Sequence, residues 1–120
     1  MRLLLLALLA GLATGCGTTH SSLHIAPGER FVLGGESRFA FWVELRNEGD
    51  VPVGVSRRTT EGSLVSLGDL GPSEALSARF GPGTAAVLTN GSDAEARIRA
   101  TIRSVAELGM RYEGAPDPER

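Results

Sequence analysis

The chain has no lysine, so its 12 basic side chains are all arginine. It has one cysteine, two histidines and few aromatics: one Trp, one Tyr and four Phe in 120 residues. Each scarcity closes a class of function. A solitary cysteine can form no internal disulfide and no Cys-based metal centre. Two histidines without neighbouring thiolates give no zinc or copper ligand set. A net charge of −2 with sparse aromatics lacks the basic footprint and stacking surfaces of a nucleic-acid binder, so no nucleic acid is expected as partner. No apolar run reaches the roughly 20 residues that a membrane-spanning helix needs.

What apolar run there is stands at the start. The Met1 amine and Arg2 give a positive beginning, Leu3 to Ala13 is apolar, and small residues follow at Thr14 and Gly15. These are the three parts of an export signal. Gly15, Gly17, Thr18, Thr19 and His20 then end the apolar character, so the segment reads as a leader that is removed, not a retained span.

Ala13-Thr14-Gly15-Cys16 resembles the lipobox of bacterial lipoproteins. The resemblance covers the leader only, and the mature domain resembles no specific family. It implies cleavage after Gly15, acylation of Cys16 by diacylglycerol and palmitate-type chains, and an exported protein anchored in the cell envelope. Gly17 is not the Asp that, in lipoproteins of enteric-type bacteria, tends to retain the product at the inner membrane, so passage to an outer membrane is permitted. Ala13-Thr14-Gly15 also satisfies the small-x-small rule of ordinary secretory cleavage, which would release a protein with a spare thiol. Acylation removes that exposed thiol. Two chains on one residue, at about 0.8 kcal/mol per buried methylene, give stable anchoring where one chain is marginal.

Loss of 1–15 takes Arg2 with it and leaves 11 arginines against 14 carboxylates. The remaining length suits a single core that folds without disulfides or metal. Residues 16–22 (Cys16 then Gly-Thr-Thr-His-Ser-Ser) are small and polar, the composition of a flexible tether. The domain is expected over 23–112. The stretch 113–120, polar with two prolines, is expected to be a frayed tail.

Short alternating runs separated by Gly, Pro and Asn predict antiparallel strands throughout. In Phe39 to Arg46, the residues Phe39, Phe41, Val43 and Leu45 share one face, while Glu44 and Arg46 share the other with Trp42, expected half covered. Asn47-Glu48-Gly49-Asp50 predicts a hairpin into Val51, Val53 and Val55. Asn90-Gly91 predicts a second, between Ala85 to Leu88 and Ala96 to Arg103. Leu23 to Ile25 and Arg30 to Leu33 flank Pro27-Gly28. Ser63 to Leu67 and Ala75 to Phe80 are joined by Gly68-Asp69-Leu70-Gly71-Pro72, and Val105 to Tyr112 reads as a last strand interrupted at Gly109.

Seven to eight strands at this spacing predict an all-β fold, a small antiparallel β-sandwich of immunoglobulin or fibronectin-like type, with a Greek-key barrel as the alternative. The expected core is Phe31, Phe39, Phe41, Val43, Leu45, Val53, Val55, Leu76, Phe80, Leu88, Ile98 and Ile102. No Cys-Trp-Cys spacing is present, so the immunoglobulin likeness is one of architecture.

No constellation points to catalysis, and no catalytic, cofactor or metal residue is assigned. Ser21 and Ser22 beside His20 and His24 lie in the tether, which cannot hold a nucleophile and base in register. His20 and His24 are four apart in a stretch that does not favour helix, so they read as tether histidines. Glu48 with Asp50, and Asp93 with Glu95, flank turns and fall short of a calcium loop's ligand count. Gly34-Gly35 and Gly81-Pro82-Gly83 read as turns, not phosphate cradles. Arg97, Arg99 and Arg103 share a strand face, and with Arg57 and Arg58 could form a basic strip; a solvated, edge-protecting face is the simpler reading. The expected function is therefore a lipid-anchored envelope module, interaction or structural, without catalysis and attached at Cys16, with Trp42 or an open edge as the place where an envelope partner would bind. A ligand-binding accessory domain is the alternative.

Overall fold

A computed structural model describes residues 17–114. The leader, Cys16 and residues 115–120 lie outside the described residues, and with them the expected cleavage site and most of the expected tail. The described residues are all-β, with nine strands: β1 (Gly17–Ile25), β2 (Arg30–Gly34), β3 (Phe41–Asn47), β4 (Val53–Arg58), β5 (Leu64–Leu70), β6 (Ala75–Phe80), β7 (Ala85–Thr89), β8 (Ala96–Ser104) and β9 (Met110–Glu113).

The strands form two antiparallel sheets, one in the order β1-β8-β3-β6 and the other β5-β4-β7-β2-β9. The expected antiparallel sandwich is thus what the chain forms. Its pairing is nested: β1 with β8, β2 with β7, β3 with β6, β4 with β5. That is the double Greek key of a jelly roll, with β9 added beside β2. Strand order separates it from immunoglobulin domains, whose successive early strands pair in one sheet.

The nesting corrects both expected hairpins. β3 and β4 lie in different sheets, as do β7 and β8, so each connection crosses the sandwich. An asparagine makes each crossing. Asn47 Nδ2 donates to the carbonyls of Val51 (2.7 Å) and Leu70 (2.9 Å), and its Oδ1 accepts from the Gly49 N–H (2.9 Å). Asn90 Nδ2 donates to the carbonyls of Ile25 (2.8 Å) and Ala94 (2.7 Å), and its Oδ1 accepts from the Ser92 N–H (3.0 Å) and hydroxyl (2.6 Å). Both side chains are buried. The polar tip that would otherwise favour a tight turn is spent tying two layers together.

Gly17 to Ser22, expected as tether, are instead the outer half of β1, registered from Gly17 opposite Ser104 to Ser22 opposite Arg99. The long strand β8 offers an unpaired row of backbone groups there, and Thr18 and Thr19 suit a pleated edge open to water on one side. Gly68, Asp69 and Leu70, expected as connector, extend β5. A bulge lets them, since Val55 faces Gly68 while Ser56 faces Ser66, and Gly68 takes the left-handed φ of 129° that glycine accommodates. Glu113, placed in the tail by composition, is the last residue of β9, and only Met110 onward of the expected final strand is extended.

The core between the sheets holds Phe31, Phe41, Val43, Leu45, Val53, Val55, Phe80, Leu88, Ile98 and Ile102, as expected, joined by Leu23, Ile25, Leu33 and Leu70. The rings of Phe41 and Phe80 stack at 5.1 Å. Gly34 permits their close cover: a Cβ there would stand 2.9 Å from the Phe41 ring. Two expected members differ. Leu76 is partly buried, and Phe39 is 51% exposed because the alternation stops at Ala40 and a serine turn holds Phe39 outside: Ser37 Oγ donates to the Phe39 carbonyl and accepts its N–H, both at 3.0 Å.

A smaller buried cluster, Val32, Ala85 and Val87, lies on the outside of the five-stranded sheet. Arg58 on β4 and Glu113 on β9 form a forked ion pair, at 3.1 and 3.4 Å, across the two strands that carry it. Arg111 adds a third bond to Glu113 at 3.0 Å. Hydrogen bonds from Arg58 are the largest influence holding the Glu113 carboxyl below its usual range; partial burial opposes them and Arg111 reinforces them. A lowered native value means that the unfolded chain binds the proton more readily. The contribution is therefore complete above the ordinary glutamate range and is lost as pH falls through the lowered value. Glu113→Gln is expected to lower stability at neutral pH by less than about 1 kcal/mol. In thermal unfolding of both proteins from about pH 7 to about pH 3, the gap should close at the acid end; a gap independent of pH would contradict the assignment.

Candidate functional site

The strict alternation of β3 and β8 turns one set of residues inward and gives the other set to the outside of the four-stranded sheet. Phe41, Val43 and Leu45 go into the core, which leaves Trp42, Glu44 and Arg46 outside. On β8, Ile98, Ala100 and Ile102 go in, leaving Arg97, Arg99, Thr101 and Arg103 outside. The same period on β6 presents Ser77 and Arg79, and on β1 it presents Thr18, His20, Ser22 and His24.

Strand register sorts these residues into rows. Trp42 stands opposite Arg103 on one side and Arg79 on the other, and Arg103 in turn faces Thr18. The next outward row runs His20, Thr101, Glu44, Ser77, with His20 Nδ1 and Thr101 Oγ1 3.2 Å apart. A further row runs Ser22, Arg99, Arg46. Directly opposed outward side chains in such rows are about 5 Å apart at Cβ. Trp42 is 53% exposed, the expected half cover. It borders a shallow depression of about 360 Å³ whose other walls are Val43, Glu44, Ser77, Thr101 and Arg103.

The charge of this face is opposite to that of the whole chain. Arg46, Arg79, Arg97, Arg99 and Arg103 look outward around a single central carboxylate, Glu44, on a protein whose net charge is −2. Glu48 at the margin answers part of it, lying 3.9 Å from Arg99 and accepting a 3.2 Å bond from Arg97 at its carbonyl. Guanidinium groups present planar forks that match carboxylates, and an indole offers a broad apolar face with one N–H. The arrangement can therefore bind a flat or apolar group while neutralising acids beside it.

The expected basic strip is only partly assembled. Arg97, Arg99 and Arg103 share the face, but Arg57 and Arg58 belong to the other sheet. Arg57 lies 5.0 Å over the Phe80 ring and donates to the Arg79 carbonyl at 2.9 Å, while Arg58 is held by Glu113. Arg46 and Arg79 take their place; the alternation of Ala75 to Phe80 already carried the signal for Arg79, which the weak apolar character of that run obscured. His20 and His24 are not tether residues but neighbours on one face of β1. Four strand residues separate their backbones by about 13 Å, and His24 pairs with Glu95 at 3.4 Å. Among the described residues, no group of three or more His, Cys, Asp or Glu side chains is placed to hold a metal ion. Cys16, the expected lipid-attachment residue, is outside the described residues.

No protein-family model matches the chain, and no curated protein matches it. Solved structures do. The chain is similar to Peruvianin-I, a cysteine peptidase from Thevetia peruviana latex, with a TM-score of 0.56 and 17% identity over 82% of this chain. It spans 56% of that peptidase's length. A mitogen from Yersinia pseudotuberculosis matches over 75% of this chain and 87% of its own, at a TM-score of 0.48 and 12% identity. A sugar phosphate isomerase of the cupin superfamily from Silicibacter pomeroyi matches over 89% and 73%, at a TM-score of 0.49 and 10% identity. At such identities the likeness to the peptidase is one of fold, that of a jelly-roll β-sandwich.

Proposed function

We propose that this protein is a lipid-anchored module of the bacterial cell envelope that binds an acidic partner protein on the outside of its four-stranded sheet. Attachment is assigned to Cys16, which closes an export leader and a lipobox-like sequence. The observation that carries the binding surface is Trp42, exposed between Arg103 and Arg79 on an arginine-rich face. Trp and Arg are the side chains that most often dominate protein interfaces, and an excess of guanidinium groups selects a partner rich in carboxylates. The role is one of holding rather than of catalysis, since the groups gathered on the face bind and neutralise.

The full chain, expressed in a host that processes lipoproteins, should recover a stoichiometric partner from cross-linked membranes. Trp42→Ala and Arg103→Glu should each reduce recovery about 30-fold, the loss of a central interface residue worth about 2 kcal/mol. Both side chains point to solvent, so stability should change by no more than about 0.5 kcal/mol. Equal capture by all three proteins would overturn the reading. A second reading, a small anionic ligand, is favoured by the depression beside Trp42, whose volume of about 360 Å³ is within the range of small-molecule sites. A small molecule retained by the purified domain in native mass spectrometry, and lost with Arg103→Glu, would select it.

A further inference from the structure

The two ends of the sandwich differ in what they expose. One end carries the connections 26–29, 48–52, 71–74 and 90–95; the other carries 35–40, 59–63, 81–84 and 105–109, together with the start of β1. At this second end the last row of the four-stranded sheet is Gly17, Ser104, Phe41 and Phe80, and that of the five-stranded sheet is Gly34, Ala85, Arg58 and Leu64. The loops there are fastened to one another, with the Gly83 N–H on the Ser37 carbonyl (2.9 Å) and the Gly35 N–H on that of Thr84 (3.1 Å).

The exposed large apolar side chains of the described residues are Phe39, Trp42, Leu64, Val65, Val105, Met110 and Tyr112. All but Tyr112 lie in, or within two residues of, the loops of this end, and none lies in the loops of the other. Phe39 and Val105, at 51% and 76% exposure, are not left out by slack chain. Each is held out by a serine turn: Ser37 around Phe39, and Ser104, whose Oγ donates to the Ala106 carbonyl (2.6 Å) and accepts its N–H (3.1 Å), around Val105. A folded end that fixes apolar tips in water marks a surface meant to be covered.

What covers it follows from the chain. Cys16 is bonded directly to Gly17, and consecutive Cα atoms are about 3.8 Å apart. Gly17 is itself already in register with Ser104. An acyl group on Cys16 therefore has no tether between it and the folded end. We infer that this end docks on the bilayer surface, with Phe39 and Val105, and Leu64 and Met110 behind them, in the interfacial layer. The inference rests on the proposed anchor at Cys16. Arg38, Arg57, Arg79, Arg103 and Arg111 stand near this end against Glu36, Glu61 and Glu107, so an apolar contact carries the docking and a small net positive charge adds a share that salt screens. The sandwich stands upright on the membrane, which leaves the outside of the four-stranded sheet facing sideways, open to a partner.

The test uses the full, processed protein in vesicles of phosphatidylethanolamine and phosphatidylglycerol with brominated acyl chains. Phe39→Trp, Val105→Trp and, at the opposite end, Asp93→Trp are each made in a Trp42→Phe background, all at exposed positions. Fluorescence of the first two should be quenched several-fold more strongly than that of the third, and the difference should persist at high salt. Equal, weak quenching of all three in protein whose intact mass shows acylation would overturn the docking alone. A processed protein whose mass shows no acyl groups and which does not sediment with vesicles would overturn the docking together with the anchor on which it rests.

Discussion

Asn90→Ala is expected to destabilise the domain by about 3 kcal/mol, a large share of what a domain of this size has. The side chain is wholly buried and serves two backbone carbonyls, those of Ile25 and Ala94, together with the Ser92 N–H and hydroxyl. Truncation takes this partner from the Ile25 carbonyl and the Ser92 N–H, while the Ala94 carbonyl keeps the Ser92 hydroxyl at 2.9 Å, and each orphaned group costs about 1–3 kcal/mol. Part of that is recovered where the corner relaxes toward solvent. For a domain near 100 residues the loss is a fall in Tm of roughly 12–24 °C. Asn90→Asp keeps the acceptor and removes the donor, so it should be no better. Asn47→Ala, at the matching corner, should behave alike. A loss below about 1 kcal/mol for Asn90→Ala in urea unfolding would mean that the crossing is held by the core and not by the amide.

The largest change in behaviour is expected from one atom at Cys16. Cys16→Ser removes the sulfur that the proposed thioether needs, and with it every acyl chain. Two chains contribute tens of methylenes at about 0.8 kcal/mol each, so partition should shift from wholly membrane-bound to soluble or unprocessed rather than merely weaken. Intact mass should show wild type without 1–15 and with added lipid, and the variant without lipid. Folding of the domain should be untouched, since the described strands begin at Gly17 and their core holds no part of Cys16. A wild type that is cleaved, soluble and of unmodified mass would refute the anchor and leave a secreted sandwich with a free thiol.

The parts of the fold that periodicity could express were legible. β3 and β8 alternate without interruption because each is central in its sheet and half-buried, so Phe41, Val43, Leu45, Ile98 and Ile102 announce their face. Pairing was not legible. Asn90-Gly91 has the composition of a two-residue hairpin, but whether the next strand returns beside β7 or crosses to β8 depends on where the amide of Asn90 finds its partners, and one of those is Ile25, far away in sequence. The first half of β1 has no apolar signal at all; Gly-Thr-Thr-His-Ser-Ser becomes a strand because β8 is long enough to pair it. Phe39 misled in the other direction, since its spacing matched the inward set while its turn placed it outside. The candidate face was visible as Trp42 with Glu44 and Arg46. What assembled it, the register that sets Trp42 between Arg103 and Arg79, is a property of three strands at once.

The nested order also governs when each pair can close. Among the described strands only β4 and β5 are neighbours both in the chain and in a sheet; β3 must wait for β6, β2 for β7, and β1 for β8. A polypeptide threaded through a membrane from its N-terminus therefore delivers Gly17 long before it delivers Ser104. In the export proposed above, Gly17 and the residues after it would have no strand to join until Ser104 had emerged, and closure of the widest loop would come last and slowly. The proposed cleavage point would thus stand beside an unpaired strand until the remainder of the domain had emerged, and only afterwards would that strand be sealed into the sheet.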